Sequence, residues 1–174
     1  SDDIRLYPGV SYRHLLVYRD GPDSLESFPP HDIMGQSIAD HLPSGRGAER
    51  ICALMEQGEK VLRDADVANK SAANSIWLWG SGRSLKLTSL QSKYGIRGGV
   101  ISAVDLVRGI GRCAGLDIID VPGITGYLDT NYAGKADYAL ASLAEMDFVY
   151  VHVEAPDEAG HNGDAAAKKQ AIED

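Results

Sequence analysis

Asp157 and His161 stand four residues apart in the stretch PDEAGH. That spacing is about one turn of helix, which brings a carboxylate and an imidazole to one face. An oxygen donor and a nitrogen donor suit Mn²⁺ or Zn²⁺ better than Ca²⁺. Gly160 lets the backbone turn or approach closely just before the histidine. On spacing alone two readings stand: half of a metal site, or a solvated loop with a chance D-x-x-x-H. A transition-metal site normally takes three or four protein ligands. The chain has five histidines, His14, His31, His41, His152 and His161, and none follows position 161. His152 lies inside an apolar run and is expected to be packed, or to support a ligand from behind, rather than to bind metal. Any further ligands then lie elsewhere, including outside this chain.

Basic residues form a second constellation. Arg13 and Arg19 flank the core HLLVY, with His14 beside the first and Asp20 beside the second. Arg83 follows GSG, and His31-Asp32 falls in a proline-rich loop. Guanidinium forks bind phosphate or carboxylate bidentately, and a histidine adds a donor. The alternative is ordinary surface arginines. Lys135, in DTNYAGKAD, comes near a helix start after a strand. It could face a phosphate or be solvated. Two glycine patterns carry no nucleotide chemistry. GIGRCAG (109–115) has the wrong spacing for a dinucleotide fingerprint, and GSGR (80–83) lacks the Lys-Ser/Thr of a phosphate-binding loop.

The bulk numbers exclude several classes. With 17 basic against 25 acidic residues the formal net charge is −8. Nucleic-acid binding needs a basic footprint and is not expected. A small anionic substrate remains compatible, because a few local arginines outweigh the global sign inside a pocket. No stretch reaches the roughly 18 apolar residues of a membrane span, and the start SDDIRLYPGV does not read as a signal peptide. No membrane partner and a cytoplasmic address are expected. Cys52 and Cys113 sit in helix-like apolar stretches without C-x-x-C spacing, which predicts buried reduced thiols.

The elements that must position these residues are legible as patterns. YRHLLVYRD (12–20) and SIWLWG (75–80) read as strands, with an irregular loop over 28–47 between them. Ile51, Leu54, Met55, Gly58, Val61 and Leu62 predict a helix over 48–65 with one apolar stripe. GGVIS (98–102), LDIIDVPG (116–123) and DFVYVHVEAP (147–156) read as strands, the last apolar on both faces. A helix starting at Ser102, with Asp105 as a capping-box partner, is expected to end near Gly115. A second helix spans NYAGKADYALASLAE, with Tyr132, Ala136, Ala139, Leu140 and Leu143 on its apolar side, and a third begins in GDAAAKKQAIED. Strand, helix, strand, helix, strand predicts an α/β fold with a parallel sheet and right-handed crossovers. Ligands gather at the C-terminal ends of such strands, where Asp157 and His161 fall. The Ser-, Gly- and Lys-rich stretch 81–95 is the best boundary, giving domains 1–85 and 86–174.

The stretches VYVHVEAPDEAGHNGD, NSIWLWGSG, YGIRGGVISAVDLVRGIG, VPGITGYLDTNYAGKA and YRHLLVYRD together resemble cofactor-independent phosphoglycerate mutase of the archaeal type, in the alkaline phosphatase superfamily. The resemblance runs in order over nearly the whole chain. It implies a glycolytic isomerase with a phosphatase-like parallel-sheet core that holds two divalent ions (Mn²⁺, or Mg²⁺, Co²⁺ or Zn²⁺) and a serine nucleophile. It also implies a smaller inserted α/β domain that clamps the substrate. The serine would take phosphate from one hydroxyl of 3- or 2-phosphoglycerate and return it to the other, without bisphosphoglycerate. By position, Asp157 and His161 match metal ligands of this family. Arg13, Arg19, His31 and Arg83 match the substrate clamp, and Lys135 is a candidate phosphate contact.

The family's first metal aspartate, its serine nucleophile and its later Asp-His ligands have no counterpart here. The resemblance therefore implies an inserted domain over 1–85 and a partial core over 86–174, with no catalytic residue of its own. Such a piece is expected to expose strand edges and to lack mutase activity alone. Another phosphotransferase or phosphohydrolase of the superfamily, or a noncatalytic anion- or partner-binding domain, is the alternative.

Overall fold

The computed structural model describes residues 3–9, 13–22, 24–64 and 72–174. Tyr12 of the first predicted strand and Ala65, the predicted end of the first helix, lie outside them. The chain divides into two compact units, Ser1–Pro8 with Arg13–Ser84, and Gly9–Tyr12 with Leu85–Asp174.

In the first unit, β1 (Ile4–Pro8) pairs antiparallel with β2 (His14–Tyr18), Leu6 opposite Leu16. Helix α1 (Ala48–Asp64) is tied to this hairpin by Arg50. Its guanidinium lies 4.9 Å from the Tyr18 ring centre, donates to the Tyr18 hydroxyl at 2.7 Å and meets Asp3 Oδ2 at 2.9 Å. Ile51 and Met55 of the predicted stripe are buried, whereas Val61 is exposed. The expected irregular loop contains two short 3₁₀ turns, Pro30–Ile33 and Ile38–His41.

The predicted strand over 75–80 does not form; residues 72–89 run without a ladder. A strand requires a neighbour for its backbone groups. Here side chains make the link instead: Trp77 Nε1 donates to the Phe28 carbonyl at 2.8 Å, and Ser81 Oγ to that of Leu25 at 3.2 Å. Hydrophobicity alone suggested pairing that the backbone does not make.

The second unit is a three-stranded parallel sheet with order β4-β3-β5. Its central strand β3 (Gly98–Ile101) is buried throughout, flanked by β4 (Asp117–Ile118) and β5 (Phe148–Val151). Glycine lets β3 lie this close to its neighbours: a Cβ on Gly98 would collide with the Phe148 ring. A short helix, α2 (Leu90–Tyr94), precedes it. Helix α3 (Asp105–Cys113) links β3 to β4, and α4 (Tyr132–Ser142) links β4 to β5. The chain steps from β3 to one side, then back across it to the other. That reversal makes a topological switch point between β3 and β5, opening at their C-terminal ends. Helices α5 (Ala155–His161) and α6 (Ala165–Glu173) follow β5 and pack on each other through Ala159, Ala167 and Ala171.

Several expectations are overturned. Strand β5 is not buried on both faces: Tyr150 is 50% and Val151 40% exposed, because the strand lies at a sheet edge. Leu140 and Leu143 of α4 are exposed, and the residue this helix buries is Lys135. Ser102 does not start α3, whose N-cap is Val104 with no side-chain cap bond. Cys113 is exposed and Cys52 half-buried, so the two thiols are not both core residues. Gly115 does adopt the expected left-handed conformation, φ 79°. Among the described residues no helix is long and apolar enough to cross a membrane.

Candidate metal and phosphate site

Asp157 and His161 lie on α5 rather than in a loop, in its first and last turns. Pro156 suits the first turn, where its missing N–H leaves no bond unmade. Asp157 Oδ2 is 3.3 Å from His161 Nε2, and both side chains are 68% exposed. The pair opens to solvent just past the C-terminal end of β5.

Behind it lies a set of polar groups that sequence reasoning did not assemble. His152 follows β5 directly, and its N–H donates to the Ile101 carbonyl at 2.9 Å, extending the ladder by one bond. Its Nδ1 is 3.2 Å from Ser102 Oγ and its Nε2 is 3.1 Å from Glu154 Oε2. The His152 ring stacks on Tyr150 at 6.4 Å. Its carbonyl accepts from Lys135 Nζ at 3.1 Å. Ser102 is 0% and Lys135 2% exposed. Burial pulls the Lys135 ammonium below the ordinary lysine value, and the nearby Glu154 carboxylate pulls it back up. The alternative of a solvated Lys135 is thus overturned. The signal was present in the alternation of FVYVHVE, which puts the polar residues 152 and 154 at the strand's exit, but sequence alone cannot say what they meet.

The loop after β4 approaches this set at Glu154. Asn131 Oδ1 accepts from Gly134 N at 2.8 Å as the α4 N-cap, while its Nδ2 donates to the Pro122 carbonyl at 2.9 Å. Thr125 Oγ1 donates to Asp129 at 2.6 Å, and Thr125 N to the Thr130 hydroxyl at 3.0 Å. A Cβ on Gly126 would stand 3.9 Å from Glu154 Cγ, so the loop lies against the stem of that side chain.

The clamp residues belong to the first unit. Arg13 and Arg19 flank β2 at opposite ends, about 20 Å apart at the usual rise of a strand. His31 meets the edge of Trp79 at 5.6 Å and lies 3.6 Å from Asp32. Arg83 is in the extended stretch after Gly82, and all four side chains belong to exposed residues. The structure brings Asp157 and His161 together, and Lys135 to the backbone that leads into α5. The four first-unit residues stand at exposed positions.

The sequence profile of the metalloenzyme superfamily matches residues 25–174. The chain belongs to the metalloenzyme superfamily. It is 54% identical over its whole length to a probable 2,3-bisphosphoglycerate-independent phosphoglycerate mutase of Geobacter sulfurreducens, covering 45% of that protein. It is 50% identical, again over its whole length, to the 2,3-bisphosphoglycerate-independent phosphoglycerate mutase of Methanosarcina acetivorans, covering 46% of it. The chain thus spans a little under half the length of these curated relatives. A solved cofactor-independent phosphoglycerate mutase from Thermoplasma acidophilum shares the fold, with TM-score 0.52 and 22% identity over 98% of this chain and 49% of that one.

The superfamily implies a metal, and the donor set can be tested against one. A carboxylate oxygen and an imidazole nitrogen on one exposed helix face fit two positions of a transition-metal site. Among the described residues no group of three or more His, Cys, Asp or Glu is gathered to hold an ion. The pair fits as two ligands of a site that needs others.

Proposed function

We propose that this chain is part of a metal-dependent phosphoglycerate mutase that interconverts 3- and 2-phosphoglycerate through a phosphoserine, in glycolysis and in the cytoplasm. One observation carries the reading: whole-chain identity of 54% and 50% to proteins bearing that name, at 45% and 46% of their length. The Asp157–His161 pair, on the helix that follows the C-terminal end of β5, supports it. In this reading both side chains are metal ligands, and Mn²⁺ or Zn²⁺ suits the oxygen and nitrogen set. A divalent ion there would neutralise charge on a transferring phosphoryl group. The nucleophilic serine lies outside this sequence, and this chain alone is inactive.

In the same reading Arg13, Arg19, His31 and Arg83 hold the phosphate and carboxylate of a small phosphorylated acid, by the fork geometry of guanidinium. Lys135, in the second unit, would contact phosphate only by exchanging the His152 carbonyl for it. The superfamily match is coarser than the mutase names and supports a second reading, a phosphotransferase or phosphohydrolase with another small phosphorylated substrate.

The test is interconversion of the two phosphoglycerates by the complete protein that carries this sequence, with Mn²⁺ and without bisphosphoglycerate. Activity that is lost with chelator and with Asp157→Ala is expected. Phosphate release without interconversion would favour the second reading. Full activity of Asp157→Ala with unchanged metal content would overturn the metal role.

A further inference from the structure

We propose that His152 is a positioning residue for the Asp157–His161 pair. Lys135 holds it by its carbonyl, Ser102 and Glu154 hold it by its ring, and it thereby sets the direction in which α5 leaves the sheet. The inference rests on the proposed metal role of that pair and names what aims it.

Helix α5 has seven residues, too few to be stable by itself. The ligand side chains are 68% exposed, so their own packing does not orient them. Their direction must come from the attachment of the helix at its start. Five residues upstream of Asp157, the chain is held at one residue by bonds to β3, to α4 and to the residue that follows β3. The His152 N–H joins the end of β3, its carbonyl meets Lys135 of α4, and its ring meets Ser102 just past β3. The ring then reaches Glu154, whose own carbonyl accepts the Asp157 N–H at 2.9 Å. An apolar core would hold these ends with a smaller desolvation cost than a buried ammonium. What hydrogen bonds add is angle, since they weaken steeply when misaligned.

The protons can be assigned consistently. Ser102 Oγ accepts from Val104 N at 3.0 Å and donates to His152 Nδ1, leaving Nε2–H to donate to the Glu154 carboxylate. Serine, histidine and acid in line resemble a nucleophilic triad. Ser102 is 0% exposed, however, so its hydroxyl meets no substrate. The arrangement orients; it does not attack.

Metal-site supports of this kind change affinity by about 10- to 100-fold when removed. The test uses this chain, isotope-labelled, with Mn²⁺ alone as the probe. It reads paramagnetic broadening of amide signals over 157–161, and hydrogen exchange of α5 amides relative to those of β3. His152→Leu and Lys135→Met are expected to raise the Mn²⁺ concentration for half-broadening by about tenfold or more. Exchange in α5 should rise by a similar factor, while β3 amides stay within about twofold. His152→Gln, which keeps a donor and an acceptor, should restore most of both effects. Exchange rising equally in α5 and β3, with the Mn²⁺ response unchanged, would mean a merely structural role and overturn the proposal. If the wild type shows no broadening at α5, the pair does not hold Mn²⁺ without further ligands. The exchange ratio then decides positioning alone, and no selective loss in α5 overturns it. Should these variants unfold the chain, Ser102→Ala removes one ring bond and is judged by the same ratio.

Discussion

The Asp157 carboxylate and the His161 imidazole meet at 3.3 Å across one turn of α5, with both side chains 68% exposed. An exposed pair of this spacing contributes only about 0.3–0.5 kcal/mol to a helix. Its worth to the fold is therefore small.

Asp157→Ala and His161→Ala should each change stability by less than about 0.5 kcal/mol in urea denaturation. Each should abolish α5-localised Mn²⁺ binding, read by electron paramagnetic resonance. Binding in the unaltered chain should itself be weak, because two ligands rarely hold an ion against water. A large stability loss with unchanged Mn²⁺ binding would make the pair structural. Tight stoichiometric Mn²⁺ in this chain would show that further ligands lie within it.

Period and spacing made the βαβ half of the fold legible. GGVI and the helix around Lys135 are where apolar recurrence and turn residues put them, and the helix expected from Ser102 forms from Asp105. The misses share one physical origin: a pattern reports that a residue is apolar, not that a neighbour covers it. SIWLWG is apolar enough for a strand yet has no ladder, and FVYV is apolar on both faces yet lies at an edge. Lys135 is the converse, a charged residue on the covered face of its helix. The Asp157–His161 contact was legible because four-residue spacing is local. The Ser102–His152 contact was not, because it joins residues 50 apart in sequence.

Gly109 and Gly111 separate helix propensity from packing within one helix. A Cβ on Gly109 meets nothing within 4 Å, whereas one on Gly111 would stand 2.7 Å from Val100 Cγ1 in the buried strand β3. Gly109→Ala should stabilise by about 0.5–1 kcal/mol, the usual gain in a helix interior. Gly111→Ala has the same gain but adds overpacking worth about 1–3 kcal/mol, so it should destabilise. Urea midpoints moving in opposite directions are expected. Equal shifts would mean that α3 does not rest on β3 at Gly111.

Asn131 should matter more than an ordinary cap. Asp164 caps α6 through one bond, Oδ1 to Ala167 N at 2.9 Å. Asn131 caps α4 and also holds the Pro122 carbonyl at 2.9 Å, closing the loop that approaches Glu154. Asp164→Ala should cost about 1 kcal/mol, and Asn131→Ala about 2 kcal/mol, the second value adding one neutral hydrogen bond to a lost cap. Asn131→Asp keeps the cap and loses only the donor, so it should fall between. Asn131→Ala costing no more than Asp164→Ala in urea denaturation would show that the loop bond adds nothing.

Lys135 gives the alkaline stability profile a sign. Burial holds its folded-state value below the ordinary 10.5, with Glu154 opposing. Between that lowered value and 10.5 the unfolded chain binds more protons at this position than the folded chain does. Stability therefore rises with pH through this window. Below the window both states hold the proton and the desolvation penalty is fully present; above it the penalty is gone. Lys135→Met removes the titrating group and leaves the others shared. The stability of the wild type minus that of Lys135→Met, measured by urea denaturation at several pH values from neutral to about pH 10, should therefore increase with pH. A difference that falls over the same range would mean that Glu154 outweighs burial and that the ammonium is held as an ion pair.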